Sequence, residues 1–226
     1  MDYLEDKTLG EKKVVIFDVD GTLVDRKDAF IRFCNFLIDR YSTDYPYDGT
    51  REALIDYMIE IDENGYGGLE NFIPRLNKHW RLPHTIEEFM AERNEVFGKL
   101  TTAYPELYEV LETLKGRYRL GIITNGYSSV QREKINSVEI AGYFEDIIVS
   151  GDLDFAKPDP RIFALSCERL GVTPAEAIYI GDYYPNDIEG AIGAGITPIW
   201  INEDPTEHPE YKGIRVNRLK DILNYL

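Results

Sequence analysis

VVIFDVDGTLV, residues 14–24, is the stretch that decides the fold of this chain. Its first four residues are apolar, which predicts a strand buried on both faces, as in a parallel sheet. The strand runs directly into Asp18 and Asp20, although carboxylates are rarely buried unless they are paired or bind a metal. Since open parallel sheets bind ligands just beyond the carboxyl ends of their strands, we expect both aspartates to lie in a functional site.

The composition is that of an acidic globular protein. The 226 residues are 43% hydrophobic and 29% charged, enough for a sizeable core in one large or two small domains. The formal net charge of -16 disfavours a nucleic acid polymer as partner, because such binding depends on basic contacts to phosphate. A small phosphate ester, which needs only a local positive site, remains compatible with this charge.

Membrane and secretory features are not expected from the sequence. No uncharged stretch approaches the roughly 20 apolar residues of a membrane helix. Residues 1–7 are polar and acidic and do not resemble a secretory signal. Cys34 and Cys167 lie far apart in helix-like segments, which favours two buried thiols over a disulfide. We therefore expect a cytoplasmic protein without a membrane partner, while its oligomeric state stays open.

Short apolar runs that alternate with helical patterns predict an α/β fold with a Rossmann-like, doubly wound parallel sheet. The five predicted strands are Val14–Phe17, Leu120–Ile123, Ile147–Val149, Ala177–Ile180 and Ile196–Ile201. Residues 25–100 break the alternation, with apolar residues at helical spacing and no convincing strand. We expect a core of residues 13–24 and 101–226 and an inserted all-helical cap domain of residues 25–100, which would act as a lid over the aspartates.

Polar residues also follow the later predicted strands. Thr124 and Asn125 follow the second strand, and Lys157 follows the third. Asp182 and Asp187 follow the fourth. Because adjacent strand ends converge in a doubly wound sheet, these side chains can face one small volume. Several carboxylates, without cysteine or histidine in the motifs, favour Mg²⁺ over zinc as the metal.

The chemistry predicted for these residues is phosphoryl transfer. Asp18 can act as a nucleophile that forms an aspartyl-phosphate, while Asp20 protonates the leaving alcohol and then activates water. Thr124, Lys157 and backbone N–H groups around Asn125 would stabilise the charge on the phosphoryl oxygens.

The two aspartates after the fourth strand have different predicted roles. Asp182 is predicted to be the second carboxylate of the metal site. Asp187 would either bind the metal through water or orient Lys157.

Four motifs in order along the chain resemble those of the haloacid dehalogenase superfamily, in the branch with a helical cap after the first strand. The motifs are Asp18–Thr22, Ile123–Gly126, Lys157–Phe163 and Gly181–Asp187. The resemblance covers about residues 13–24 and 100–202, and the cap is similar only in length and helical character. The Thr-Asn-Gly form of the second motif is similar to that of the nucleotidase-like and acylneuraminate-phosphatase-like subgroups.

The resemblance implies an Asp18 nucleophile, an Asp20 acid/base, and Mg²⁺ bound by Asp18, the backbone carbonyl of Asp20 and Asp182. It implies phosphate contacts from Thr124 and Lys157. The expected function is that of a Mg²⁺-dependent phosphatase that hydrolyses a small-metabolite phosphomonoester, such as a nucleotide or a sugar phosphate.

Three alternatives are weighed against this hypothesis. One is a phosphomutase of the β-phosphoglucomutase type, but such members carry a histidine soon after the first motif and residues 25–28 contain none. A second is a non-catalytic phosphate-binding protein, which has no need of both Asp18 and Asp20. The third is a dehalogenase, but dehalogenases of this superfamily lack the second aspartate of the first motif, which is Asp20 in this chain. The sequence of the cap does not indicate which phosphate ester is bound.

Overall fold

The computed structural model describes Leu9, residues 11–204 and residues 206–226. Residues 1–7, considered above for a secretory signal, lie outside the described residues. The described part of the chain divides into two compact units: one is formed by the described residues up to Asp25 and from Ala103 to Leu226, and the other by Arg26–Thr102. Within the described part of the chain, no helix is both long and apolar enough to cross a membrane.

The secondary structure alternates in the first unit and is helical in the second. The strands are β1 (Val14–Phe17), β2 (Arg119–Thr124), β3 (Asp146–Val149), β4 (Ala177–Gly181), β5 (Thr197–Ile201) and β6 (Ile214–Val216). The helices are α1 (Arg26–Tyr41), α2 (Arg51–Asp62), α3 (Leu69–Leu76), α4 (Ile86–Val96), α5 (Leu107–Lys115), α6 (Ser128–Ser137), α7 (Pro160–Arg169) and α8 (Glu189–Gly193). Short 3₁₀ turns cover Glu63–Gly65, Phe97–Leu100, Ala141–Tyr143, Ser150–Asp152, Pro174–Glu176 and Leu219–Asn224, and Tyr184–Ile188 forms a π-helical turn.

The six strands form one parallel sheet in the order β3-β2-β1-β4-β5-β6. The fully buried strand β1 lies inside this sheet and sends alternate side chains to its two faces. Val15 and Phe17 belong to an apolar layer with residues of α5 and α6. Val14 and Ile16 belong to a second layer with residues of α7 and α8. Helices thus cover both faces, and the predicted doubly wound α/β fold is confirmed.

The structure adds one strand to the five predicted ones. The edge strand β6 pairs with β5, and its three residues are too few to show a periodic pattern in the sequence. The charged residue at its centre, Arg215, is also more typical of a loop than of a buried strand. β5 begins at Thr197 rather than Ile196, because the N–H of Ile196 donates to the carbonyl of Ala191 in α8 instead of joining the sheet.

The second unit packs α1–α4 around aromatic side chains. Phe33 meets Phe97 with ring centroids 5.8 Å apart, and Phe72 stacks on Phe89 at 5.5 Å. Such ring pairs stabilise a core beyond the area that they bury. Throughout Arg26–Thr102, where the backbone is fully described, the structure contains no strand. Cys34 in this unit and Cys167 in the first are both buried free thiols.

A buried ion pair joins the start of α1 to the end of α2. Arg26 Nη1 lies 2.7 Å from Asp62 Oδ2, with side chains only 9% and 6% exposed. The same nitrogen donates to Asn64 Oδ1 at 3.3 Å, and the guanidinium lies over the ring of Phe30. Removing one partner of such a pair leaves a charge in a poorly hydrated place, so the second unit depends on both charges.

Replacing Asp62 with alanine should lower the free energy of unfolding by about 3 kcal/mol, because Arg26 then loses its buried carboxylate. Asp56→Ala on the exposed face of the same helix is the matched control and should change the free energy by less than about 0.5 kcal/mol. Urea unfolding followed by circular dichroism measures both. Equal urea midpoints for the two variants would show that the pair contributes nothing.

Candidate active site

The predicted site residues lie at the carboxyl end of the sheet in the first unit. Asp18 follows β1, Thr124 ends β2 and Asp182 follows β4. Since β1 lies between β2 and β4, these three positions are neighbours at one edge of the sheet. Lys157 reaches them from the segment between β3 and α7.

The ammonium group of Lys157 is the centre of the site. Lys157 Nζ lies 2.8 Å from Asp18 Oδ1 and 2.7 Å from Asp187 Oδ1, and it donates to the Tyr179 hydroxyl at 2.9 Å. The lysine is 5% exposed, and Asp18 and Asp187 are also buried. A lysine is almost never buried to this degree unless it is paired, so the two carboxylates are what hold Lys157 in place.

Burial and neighbouring charges act in opposite directions on Asp18 and Lys157. Burial raises the pKa of Asp18 to about 6, although the positive charge of Lys157 opposes this shift. Burial disfavours the Lys157 ammonium, but the charges of Asp18 and Asp187 outweigh it and hold the pKa of Lys157 above its usual value. Asp18 is therefore a buried carboxyl group held beside a fixed ammonium.

Both carboxylate oxygens of Asp187 accept hydrogen bonds from groups of the protein. Its Oδ1 accepts from Lys157 Nζ and lies 3.1 Å from the Tyr179 hydroxyl, while its Oδ2 accepts from the backbone N–H of Tyr183 at 3.0 Å. Tyr179 also lies within 3.0 Å of the Ile123 carbonyl, so it connects β4 to β2 beneath the site. These contacts aim Asp187 at Lys157.

The Asp182 carboxylate packs closely against the backbone of Gly21 in the first motif. A Cβ atom at position 21 would lie 2.2 Å from Asp182 Oδ2, which is too close for any side chain. The backbone of Gly21 also has a φ of +73°, a conformation that favours glycine. The Asp182 carbonyl accepts from the indole N–H of Trp200 at 2.7 Å. Desolvation raises the pKa of Asp182 well above its usual range, and the carboxylates of Asp187 and Asp18 add to the shift.

Thr124 and Asn125 have different surroundings. The buried Thr124 hydroxyl makes no hydrogen bond to any residue that the structure describes, so it offers a donor to a ligand. The Asn125 amide donates to the carbonyl of Lys157 and accepts from its N–H, both at 2.9 Å. The Asn125 side chain therefore fixes the main chain of Lys157. Any contact of Asn125 with phosphate would have to come from its backbone rather than from its side chain.

The sequence profile described as haloacid dehalogenase-like hydrolase matches residues 15–201. The chain belongs to this hydrolase family. The match spans all four motifs and the helical second unit between the first two, so the resemblance inferred from the sequence is confirmed and the protein is an enzyme of the hydrolase class.

Curated and solved relatives support the family assignment along nearly the whole chain. This hydrolase is 30% identical over 218 residues to the glyceraldehyde 3-phosphate phosphatase of Methanothermobacter thermautotrophicus, covering 93% of this chain and 96% of that protein. It is 29% identical over 212 residues to the N-acylneuraminate-9-phosphatase of Homo sapiens, covering 87% and 85%. The solved structure of a phosphatase of the superfamily from Thermococcus onnurineus has a TM-score of 0.67 and 26% identity, with 94% and 96% covered.

Asp20 of this hydrolase has partners that the sequence did not predict. Lys134 Nζ lies 2.7 Å from its Oδ1, and Gln131 Nε2 lies 2.9 Å from its Oδ2. Both partners come from α6 and are buried. A signal for them exists in the sequence, because Gln131 and Lys134 share the helical spacing of the apolar residues Val130 and Ile135 and therefore lie on the buried face.

The carboxylates of the site form a candidate metal centre. Within residues 11–204 and 206–226, one group of three or more metal-ligating side chains has its ligand atoms within 4.8 Å of one another, and it consists of Asp18, Asp182 and Asp187. Lys157 can offset only one of three negative charges. Hard carboxylate oxygens with an excess of negative charge fit a divalent cation such as Mg²⁺, whereas zinc prefers nitrogen and sulfur ligands.

Removing the Tyr179 hydroxyl tests the importance of the buried network. Tyr179→Phe should lower the free energy of unfolding by about 1 kcal/mol or more, because buried groups of Lys157 and Asp187 lose a hydrogen-bond partner. Tyr127→Phe, at an exposed tyrosine of the same unit, is the control and should have no measurable effect. Both are measured by urea unfolding, and identical stability of the two variants would contradict a structural role for this hydroxyl.

Proposed function

We propose that this hydrolase is a Mg²⁺-dependent phosphatase that cleaves a small-metabolite phosphomonoester through an aspartyl-phosphate at Asp18. The observation that carries the proposal is the buried Asp18 carboxyl group, which is paired with Lys157 and follows the strand next to the one that ends at Thr124. The buried Thr124 hydroxyl makes no hydrogen bond to any described residue. A desolvated carboxylate is a stronger nucleophile than a hydrated one, and a fixed ammonium beside it attracts the negative phosphoryl group.

The same residues supply the contacts that a transferring phosphoryl group requires. Lys157 and the Thr124 hydroxyl would donate to its oxygens, and backbone N–H groups around Asn125 would add further donors. Asp187 would act by orienting Lys157, since its oxygens already accept from groups of the protein. Preorganised donors of this kind stabilise the charge that spreads over the equatorial oxygens in the transition state.

Two proton transfers complete the proposed reaction. An Asp18 oxygen attacks phosphorus, the bond between phosphorus and the ester oxygen breaks, and Asp20 donates its proton to the departing alkoxide. Asp20 then removes a proton from the water that attacks the phosphorus of the aspartyl-phosphate. This second displacement releases inorganic phosphate and regenerates the Asp18 carboxylate and the protonated Asp20.

We propose that Mg²⁺ is the cation that this donor set binds. We propose that Asp18, the backbone carbonyl of Asp20 and Asp182 would hold it. When bound, Mg²⁺ would offset the negative charge shared by the carboxylates and the phosphate ester.

The names of the relatives favour a phosphatase and do not agree on one phosphate ester as the substrate. Both curated relatives described above are named as phosphatases, one for an acylneuraminate phosphate and one for a triose phosphate. The two names differ in substrate although the identities of the two relatives to this chain are similar. We propose that residues 26–102 serve as the helical cap and carry the residues that select the ester.

The proposal predicts phosphate release that needs both Asp18 and a divalent metal. We expect turnover of at least one ester in a panel of sugar phosphates, nucleotides and phosphoglycolate with Mg²⁺, and its loss in EDTA. Asp18→Asn should lower the rate at least about a thousandfold, because an amide is a poor nucleophile. Asp154→Asn, at an exposed aspartate of the same unit, is the control and should keep wild-type activity.

Two results would contradict the proposal. Wild-type turnover by Asp18→Asn would exclude Asp18 as the nucleophile. Interconversion of sugar phosphates without release of inorganic phosphate would indicate the phosphomutase alternative instead.

A further inference from the structure

We propose that Lys134 is a positioning residue for catalysis, which with Gln131 fixes the orientation of the Asp20 carboxylate. This inference rests on the proposed function, in which Asp20 transfers protons. It adds to the four sequence motifs a second buried lysine, contributed by α6, with a role different from that of Lys157.

The contacts of Asp20 constrain both of its oxygens. Lys134 Nζ donates to Oδ1 at 2.7 Å and to Oδ2 at 2.5 Å, and Gln131 Nε2 donates to Oδ2 at 2.9 Å. The Asp20 side chain is 20% exposed, whereas Lys134 is only 3% exposed. The donors are therefore buried and fixed, while the carboxylate that they hold remains accessible to substrate and water.

Gln131 also connects Asp20 to the residues that are proposed to bind phosphate. The same Nε2 atom that donates to Asp20 also donates to the backbone carbonyl of Asn125 at 3.0 Å. The side chain of Asn125 in turn holds the main chain of Lys157. These hydrogen bonds, together with the covalent structure of Asn125, link the proposed acid/base to the main chain of the lysine that is paired with Asp18.

Packing alone does not explain a lysine at position 134. Val130 and Ile135 already give α6 apolar contacts on its buried face. Taking an ammonium out of water costs free energy, and apolar side chains of similar volume in place of a buried ion pair are often as stable or more stable. A function that needs the pair accounts for its presence.

The ion pair between Lys134 and Asp20 can hold the Asp20 carboxylate in one orientation. A carboxylate that transfers a proton must present one oxygen to the reacting group, and a misplacement of about 1 Å can cost roughly a hundredfold in rate. Rotation of the Asp20 side chain would break its contacts with Lys134. We therefore expect loss of Lys134 to affect the proton-transfer role of Asp20 rather than the nucleophile.

The test compares two probes that differ in their need for an acid. p-Nitrophenolate leaves without protonation, whereas the alkoxide of glycerol 2-phosphate needs a proton from Asp20. Lys134→Met should lower kcat/KM for glycerol 2-phosphate at least about tenfold more than for p-nitrophenyl phosphate. Lys134→Arg should restore part of the loss. Gln131→Met, which changes no charge, should change the ratio of the two kcat/KM values in the same direction by a smaller factor. This variant replaces Lys134→Met in the test if Lys134→Met does not fold.

A double-mutant cycle separates positioning from a structural role. In an Asp20→Asn background, Lys134→Met should cause no further change in the ratio of the two kcat/KM values, because the group that it positions is gone. Arg132→Met, at an exposed basic residue of the same helix, is the matched control and should leave the ratio at the wild-type value.

The outcomes distinguish this inference from the proposed function. An equal loss on both probes in Lys134→Met, or a further fall of the ratio in the Asp20→Asn background, would overturn the positioning role alone. A folded wild-type protein that hydrolyses neither probe and no ester of the panel would contradict the proposed function, and the role of Lys134 would fall with it.

Discussion

The placement of one buried positive charge, the ammonium of Lys157, determines the rest of the site. Asp18 and Asp187 flank it at hydrogen-bonding distance, and Tyr179 supplies a third contact. The fold makes this possible because β1, β2 and β4 are neighbours, so that side chains from distant parts of the sequence meet at one edge. Without Lys157, a pair of buried carboxylates would face each other in a medium of low polarity, which is strongly unfavourable.

The same charge balance relates structure to chemistry. Burial raises the pKa of the Asp18 carboxyl to about 6, and the positive charge of Lys157 opposes this shift. The carboxylates still outnumber the ammonium groups, which explains why the donor set fits a divalent cation. Lys134 lies within hydrogen-bonding distance of Asp20, so each of the two aspartates of the first motif has its own buried lysine. We interpret the two ion pairs as serving different tasks, one for the nucleophile and one for proton transfer.

Much of this arrangement could be predicted from the sequence, and the exceptions have physical reasons. The run of residues 14–24 indicates a strand followed by a site, because carboxylates after a buried strand have few structural explanations. The edge strand β6 escapes prediction because three residues carry no periodicity. Lys134 and Gln131 escape it because a polar residue on a helix is ordinarily solvated, and only the tertiary fold brings α6 against Asp20. The contact of the Asn125 side chain with the main chain of Lys157 also escapes prediction, because it depends on a loop geometry that sequence alone does not specify.

Chemical trapping of the intermediate tests the central claim most directly. Borohydride reduces an acyl phosphate, so an aspartyl-phosphate is converted into homoserine at the residue that carried the phosphoryl group. The enzyme would be quenched with borohydride during turnover of its best ester, digested, and its peptides sequenced by mass spectrometry. Our account predicts homoserine at position 18 and nowhere else, dependent on substrate. Reduction at another residue, or phosphate release without any reduced residue, would contradict it.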